Sequence, residues 1–151
     1  MYIGRKIKSP MARAQMKGSE KYPSIRGNVI LKQMKNGVLV TAEIYGLPSE
    51  GGVFGFHIHE GTQCSGNEKD QFADAKMHFN PTGSPHPYHA GDMPPLFGNN
   101  GYAYMSFFTD RFALKDVIGR VVIIHDGVDD FTTQPSGNSG SKIACGKIFS
   151  A

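Results

Sequence analysis

Two histidines, His57 and His59, stand two positions apart in a short apolar stretch of the chain. In a β-strand the side chains at i and i+2 point to the same face, so these imidazoles project together while Phe56 and Ile58 point the other way. One face of such a strand can join a hydrophobic core while the other offers two nitrogens to a metal ion. On its own the pair is a weak signal, because buried histidines also have purely structural roles.

The remaining histidines lie further along the chain, in or beside segments without a regular strand or helix pattern. They are His78, His86, His89 and His125, and Asp92 lies near them in the sequence. Three histidines and one aspartate suit tetrahedral zinc, whereas an all-imidazole set suits copper, whose two oxidation states allow one-electron chemistry. The sequence can supply both kinds of site if one histidine serves twice.

The composition favours a β protein with many turns. The chain has 151 residues, with 19 glycines, 9 prolines and 19% charged residues, which fits short strands joined by turns better than a helical bundle. Its length suits one domain. We expect a flexible N-terminal extension over residues 1–10 and a single domain over residues 11–151.

Alternating apolar residues predict the strands that must position these side chains. The runs 25–34 and 38–45 flank Lys35, Asn36 and Gly37 and are predicted to form a hairpin, since Asn-Gly favours tight turns with positive φ angles. Further strands are expected over 11–18, through His57 and His59, and over 102–108, 120–125 and 142–149.

Two long segments, 61–101 and 126–141, lack this alternation and are predicted to be functional loops. A structureless loop as long as the first is unusual in a compact domain unless something else fixes it. Bound metal or a disulfide can do so, and the segment contains Cys64 as well as three of the histidines.

The sequence predicts neither nucleic-acid binding nor a membrane span. The net charge is +3, and residues 1–35 hold nine Lys or Arg against one acid, but this basic end lacks the motifs of nucleic-acid binding. No apolar run approaches the roughly 20 residues that span a bilayer, so no membrane span is expected. No signal peptide is visible, so the chain as written is expected to be cytoplasmic, and exported if its true N-terminus is missing.

Five motifs resemble those of the copper/zinc superoxide dismutase family, over nearly the whole chain from about Met11. They are GFHIHEG at 55–61, HFNPTG at 78–83, HAGDMPP at 89–95, VVIIHDGVDD at 121–130 and GNSGSKIACG at 137–146. They occur in the family's order and at near-family spacing. The resemblance implies an all-β fold, an eight-stranded Greek-key β-barrel of the immunoglobulin-like sandwich type, with two long functional loops that hold the metals outside the barrel.

The resemblance also implies the ligands of both metals. Copper would be bound by His57, His59, His78 and His125. Zinc would be bound by His78, His86, His89 and Asp92. His78 would then bridge the two metals as an imidazolate, and we expect His86 to be the least secure ligand because the flanking Pro85 and Pro87 restrict how it turns inward.

Three further residues take roles by the same resemblance. Asp129 would be the carboxylate behind the ligands that links a copper ligand to a zinc ligand. Cys64 and Cys145 would form the intrasubunit disulfide, although two cysteines in a chain without an export signal are more often free thiols.

The implied reaction is dismutation of superoxide to dioxygen and hydrogen peroxide, with His78 and Lys142 as the catalytic residues. Lys142 takes the place of an arginine that the family has beside the copper channel, three residues before the second disulfide cysteine. Lysine keeps the charge but lacks the planar fork that holds an anion with two parallel hydrogen bonds. The loop 126–141 also contains no lysine, so we expect weaker steering of superoxide and reduced activity.

Two other functions stay open at this point. A copper- and zinc-binding module of the same fold could buffer or deliver metal with little or no dismutase activity. A β-sandwich whose loops mediate protein contacts without metal is the third reading. A homodimer is compatible with the resemblance, since family members pair through different surfaces or stay monomeric.

Overall fold

Nine β-strands dominate the computed structural model, which describes residues 9–50 and 52–151. The predicted extension at 1–10 therefore lies outside the described residues, except for Ser9 and Pro10. The strands are β1 (Met11–Gly18), β2 (Arg26–Met34), β3 (Gly37–Tyr45), β4 (Val53–Phe54), β5 (Phe56–His59), β6 (Leu96–Phe97), β7 (Ala103–Thr109), β8 (Val121–His125) and β9 (Lys142–Ser150). The all-β prediction is confirmed.

Seven of these strands form one curled antiparallel sheet in the order β5-β8-β9-β1-β2-β3-β7, and β4 pairs with β6 in a small second sheet. The interruption at Gly55 separates β4 from β5, so the described strands make eight segments if these two are taken as one. Strands that are neighbours in the sheet are often distant in the chain, as β1 and β9 are, which agrees with the predicted Greek-key type of barrel.

The core lies inside the curl and follows the period-2 pattern of the sequence. Val38, Val40, Ala42 and Ile44 of β3 are all completely buried, while residues between them are partly or fully exposed. The predicted hairpin joins β2 to β3 with Met34 opposite Gly37. Its turn differs from the expectation, because neither Asn36 nor Gly37 has a positive φ angle.

Helical structure among the described residues is limited to two short pieces. A 3-10 turn covers Ala73–Ala75, and one α-helical turn, α1, covers Leu114–Val117 between β7 and β8. No helix in these residues is long and apolar enough to cross a membrane.

Backbone hydrogen bonds fix part of the first long loop against β5. That strand pairs with β8 on one side, and on its other side the amide of Ile58 donates to the carbonyl of Gly91 (2.9 Å) while the amide of Phe79 donates to the carbonyl of Ile58 (2.8 Å). A Cβ on Gly91 would lie 2.2 Å from the Ile58 carbonyl oxygen, so only glycine allows this approach. The open edge of β5 thus holds this part of the loop by backbone hydrogen bonds alone.

A disulfide between Cys64 and Cys145 ties the same loop to β9 across 81 residues. Cys145 is buried against Phe72, Val121 and Ile123, whereas Cys64 is exposed. The pairing implied by the family resemblance is therefore present in the structure.

We predict that Cys64→Ser lowers the free energy of unfolding of the metal-free protein by about 4 kcal/mol, because the unfolded chain regains the entropy of an 81-residue loop. The substitution removes the cross-link at an exposed position and leaves the packing of Cys145 in place. Denaturant titration measures the change. Reduction of the wild-type protein should give the same loss, and an equal stability of oxidised and reduced protein would contradict the prediction.

Candidate metal centre

The four histidines predicted to bind copper meet at one buried point. His57 and His59 come from β5, His125 from the end of β8, and His78 from the loop beside β5. None is more than 4% exposed, and each offers one ring nitrogen within 4.8 Å of the others. The residues that the sequence placed on this site are brought together as expected.

In three of these rings the protein holds one nitrogen and leaves the other for the shared point. His59 Nδ1 donates to the carbonyl of Lys76 (2.8 Å), and His125 Nδ1 donates to the carbonyl of Gly140 (3.2 Å). A carbonyl oxygen can only accept, so both rings carry their proton on Nδ1 and present an Nε2 lone pair. These two Nε2 atoms lie 3.3 Å apart.

His57 is held in the opposite tautomer. Its Nε2 donates to Asp129 Oδ2 at 2.7 Å, which leaves the Nδ1 lone pair free. That Nδ1 and the Nε2 of His78 are both buried without a hydrogen-bond partner. Leaving such an atom unsatisfied costs about 1–3 kcal/mol, so the cluster of lone pairs fits a bound cation.

The second cluster contains the predicted zinc ligands His78, His86, His89 and Asp92. His78 Nδ1 lies 2.9 Å from Asp92 Oδ1 and 3.2 Å from His89 Nδ1. His86 Nδ1 lies 3.0 Å from Asp92 Oδ2, yet it lacks the geometry of a hydrogen bond. Four ligands at about 2.0 Å from a tetrahedral zinc ion stand about 3.3 Å from one another, so these separations suit one ion at the centre.

His78 belongs to both clusters. Its Nδ1 lies in the second group, which leaves its Nε2, buried without a hydrogen-bond partner, for the first, and the residue is only 3% exposed. Its ring packs against that of His57, with the ring centroids 3.9 Å apart and the planes tilted by 31°.

Asp129 connects the clusters by a second route. Its Oδ2 accepts from His57 Nε2 and its Oδ1 accepts from His86 Nε2, both at 2.7 Å. The backbone amide of Phe131 donates to the same Oδ1 (2.9 Å) and fixes the carboxylate. Gly137 has a positive φ angle, and a Cβ there would lie 2.0 Å from Asp129 Oδ1, so glycine is required where the second loop closes over this contact.

Burial keeps the imidazoles of His57 and His125 neutral, as metal binding requires. Desolvation lowers the pKa of His57 to about 4, although its hydrogen bond to Asp129 opposes the shift. Desolvation likewise lowers the pKa of His125 to about 3. Burial alone would raise the pKa of Asp92, but the hydrogen bond with His78 and the neighbouring imidazoles outweigh it and lower that pKa, so the carboxylate is charged.

His86 is held by the second loop more firmly than its flanking prolines suggested. Besides the Asp129 contact, its amide donates to Gln134 Oε1 (2.9 Å), and Gln134 Nε2 donates back to the His86 carbonyl (2.8 Å). Its side chain is completely buried. Sequence reasoning missed Gln134, because a glutamine 48 residues away carries no pattern that marks it as a partner of His86.

A cavity of about 510 Å³ connects the first cluster to solvent, and His59, His78 and His125 form part of its lining. Charged residues of both signs line this cavity: Lys21, Lys69, Lys76, Lys142, Glu68, Asp70 and Asp126. Lys142 lines the same cavity as three of the cluster's histidines, and its Nζ forms an ion pair with Asp70 Oδ2. The lysines missing from the loop 126–141 are thus partly replaced by lysines of other segments.

Comparison with known proteins agrees with this geometry. The family model for copper/zinc superoxide dismutase (SODC) matches residues 25–148. A superoxide dismutase [Cu-Zn] 2 of Aquifex aeolicus (strain VF5) is 35% identical over 137 residues, covering 81% of this chain and 78% of the relative. The superoxide dismutase-like protein YojM of Bacillus subtilis (strain 168) is 35% identical over 114 residues, covering 66% of this chain and 57% of the relative.

A solved structure supports the fold. The Cu/Zn superoxide dismutase from Brucella abortus superposes with a TM-score of 0.78 at 25% identity, covering 91% of this chain and 98% of that one. Copper and zinc are the cofactors that these matches imply, and the two clusters have the donor sets that suit them.

We predict that His78→Ala lowers the content of both copper and zinc after reconstitution, because one ring faces both clusters. His59→Ala should lose copper only, and His89→Ala should lose zinc only, since each belongs to a single cluster. Elemental analysis after dialysis against a chelator measures all three. Unchanged zinc content in His78→Ala would rule out a shared ring.

We also predict that Gln134→Ala weakens zinc binding roughly 10-fold, a typical loss when a group behind a ligand is removed. Gln134→Glu keeps an acceptor for the His86 amide but sets a charged oxygen against the His86 carbonyl where the donor was, so it should bind zinc no better than Gln134→Ala. Competition with a chromogenic chelator measures the affinity. Thr133→Ala, beside Gln134 but bonded to Asp130, is the matched control, and an equal effect in both variants would refute the role of Gln134.

Proposed function

Because this chain belongs to the copper/zinc superoxide dismutase family, we propose that it converts superoxide to dioxygen and hydrogen peroxide at a copper centre. The proposed copper ligands are His57, His59, His78 and His125, and the proposed zinc ligands are His78, His86, His89 and Asp92. Residues 11–151 act as one domain in this proposal. The observation that carries it is the position of His78, whose two ring nitrogens face the two clusters.

The chemistry that copper supplies when bound is one-electron transfer, so that one superoxide is oxidised to dioxygen and a second is reduced to hydrogen peroxide as it takes up two protons. The protein's part is to hold the imidazoles in fixed tautomers. Asp129 and the carbonyls of Lys76 and Gly140 do this, each by accepting a hydrogen bond from the N–H on the far side of a ring.

His78 is the residue we assign to proton transfer. Its Nε2 is buried, lacks a hydrogen-bond partner and lies beside the cavity that leads to solvent. At that atom the ring can hold one proton and donate it to the reduced oxygen species. Zinc has no accessible redox change, so a zinc ion at the second cluster would serve to hold the Nδ1 side of the ring.

Lys142 is the residue we assign to attracting the anionic substrate. It lines the same cavity as His59, His78 and His125, and a fixed positive charge there raises the local concentration of superoxide. Its ion pair with Asp70 offsets part of that charge. We therefore keep the expectation of reduced turnover, now on the ground of this contact as well as the change from arginine to lysine.

A second function is favoured by the same contact. A protein that holds copper and zinc but attracts superoxide poorly would buffer or deliver metal, and one relative carries the name superoxide dismutase-like. Metal occupancy alone cannot separate the two functions, but turnover can.

We predict that the protein loaded with copper and zinc consumes superoxide faster than the protein-free background. Lys142→Met should lower the rate constant several-fold because the steering charge is lost, whereas Lys142→Arg should match or exceed wild type. Pulse radiolysis or a stopped-flow superoxide assay measures the rates. Full occupancy of both metals with decay no faster than background would contradict the dismutase function and favour the metal-holding one.

A further inference from the structure

The ion pair between Lys142 and Asp70 stands apart from the other charges of the protein. Within residues 9–50 and 52–151 it is the only ion pair that involves a lysine or an arginine, since the others all join histidines to aspartates. Both side chains line the cavity that leads to the first cluster. The Lys142 side chain is 17% exposed and that of Asp70 is 38% exposed, so the pair is within reach of a dissolved anion.

The loop that carries Asp70 holds its carboxylate in place. Oδ1 accepts from the backbone amide of Phe72 (2.9 Å), while Oδ2 accepts from Lys142 Nζ. The amide of Asp70 itself donates to Asn67 Oδ1 (3.1 Å). Because one oxygen is tied to the backbone, the other is presented to Lys142 in a fixed direction.

The carboxylate of Asp70 is thus already paired with Lys142, the cation that we assign to attracting the substrate. A small anion that approaches the cluster must share the ammonium group of Lys142 with Asp70 Oδ2 or displace it. Lysine is a compact cation with three rotatable donors, so its donors can turn to either partner. Asp70 and an incoming anion thus compete for one group.

We propose that Asp70 is a positioning residue that competes with small monoanions for the ammonium of Lys142 and so lowers the affinity of the metal site for them. The inference rests on the proposed function in one respect, the role of Lys142 beside copper. It identifies Asp70 as the residue that limits anion entry in this chain.

Asp70→Asn is the direct test, because asparagine keeps the oxygen that accepts from Phe72 and loses the charge that pairs with Lys142. Azide serves as the probe: it is a small monoanion that binds copper(II), and its charge-transfer absorption reports the dissociation constant. We expect Asp70→Asn to bind azide roughly 3-fold to 10-fold more tightly than wild type at low ionic strength, with the gain reduced by added salt.

Glu68→Gln is the matched control, since Glu68 lines the same cavity but does not pair with Lys142. It should tighten azide binding much less than Asp70→Asn does. In a Lys142→Met background, Asp70→Asn should tighten azide binding no more than Glu68→Gln does, because the ammonium group for which Asp70 and azide compete is absent. An equal effect of the two acids, or an Asp70→Asn gain that persists without Lys142, would overturn the proposal.

Two further measurements keep the test decisive. Asp70→Ser also offers an oxygen to the Phe72 amide, and thermal unfolding shows which variants fold before their azide affinities are compared. Inorganic phosphate titrated into the metal-free proteins, followed by the amide resonance of Ser141, should show the same order of affinities without copper. If the variants show the expected ranking of anion affinities but the loaded protein does not consume superoxide, the dismutase function alone is refuted. If the loaded protein consumes superoxide but the variants do not show that ranking, the role of Asp70 alone is refuted.

Discussion

The open edge of β5 is the constraint on which the rest of the metal centre depends. One side of this strand pairs with β8, and the other receives the backbone of the first long loop at Ile58. An edge strand with free amides and carbonyls requires a partner, and here a loop supplies it. The pairing sets His78 beside His59 and Asp92 beside His57, so that ligands from two segments meet without a continuous sheet.

Buried nitrogens then fix what the centre can do. Each ring of the first cluster except His78 gives one nitrogen to Asp129 or to a carbonyl and keeps the other free. Buried nitrogens with free lone pairs are destabilising unless a cation binds them. Metal binding would therefore contribute to the stability of the folded protein. The second loop is bound into the same arrangement through Asp129 and Gln134, which both hold His86. Changes in one loop therefore act on the ligands of the other.

Much of this structure could be predicted from the sequence. The period-2 alternation in β3 marked its buried face correctly, and the i, i+2 spacing placed His57 and His59 on one side of β5. The motifs that resemble the family predicted the remaining ligands and the disulfide between Cys64 and Cys145. These features depend on local periodicity or on recognised motifs, and a single sequence carries both.

Other features could not be predicted because they depend on contacts between distant segments. Gln134 is an ordinary loop residue until the fold sets it against the backbone of His86. Lys142 likewise pairs with Asp70, 72 residues earlier in the chain, where the disulfide ties the first long loop to β9. Asn36 and Gly37 show the opposite error, since the dipeptide favoured a positive-φ turn and the hairpin closes without one.

We propose that the ring of His78 lies between two metal ions when both sites are filled. The electron paramagnetic resonance spectrum of the protein with copper(II) in both sites tests this bridge, because an imidazolate between two copper(II) ions couples their unpaired spins. We expect a spin-coupled spectrum in which the signals of isolated copper(II) are largely lost at low temperature. Two independent copper(II) signals of full intensity, at full occupancy of both sites, would contradict it.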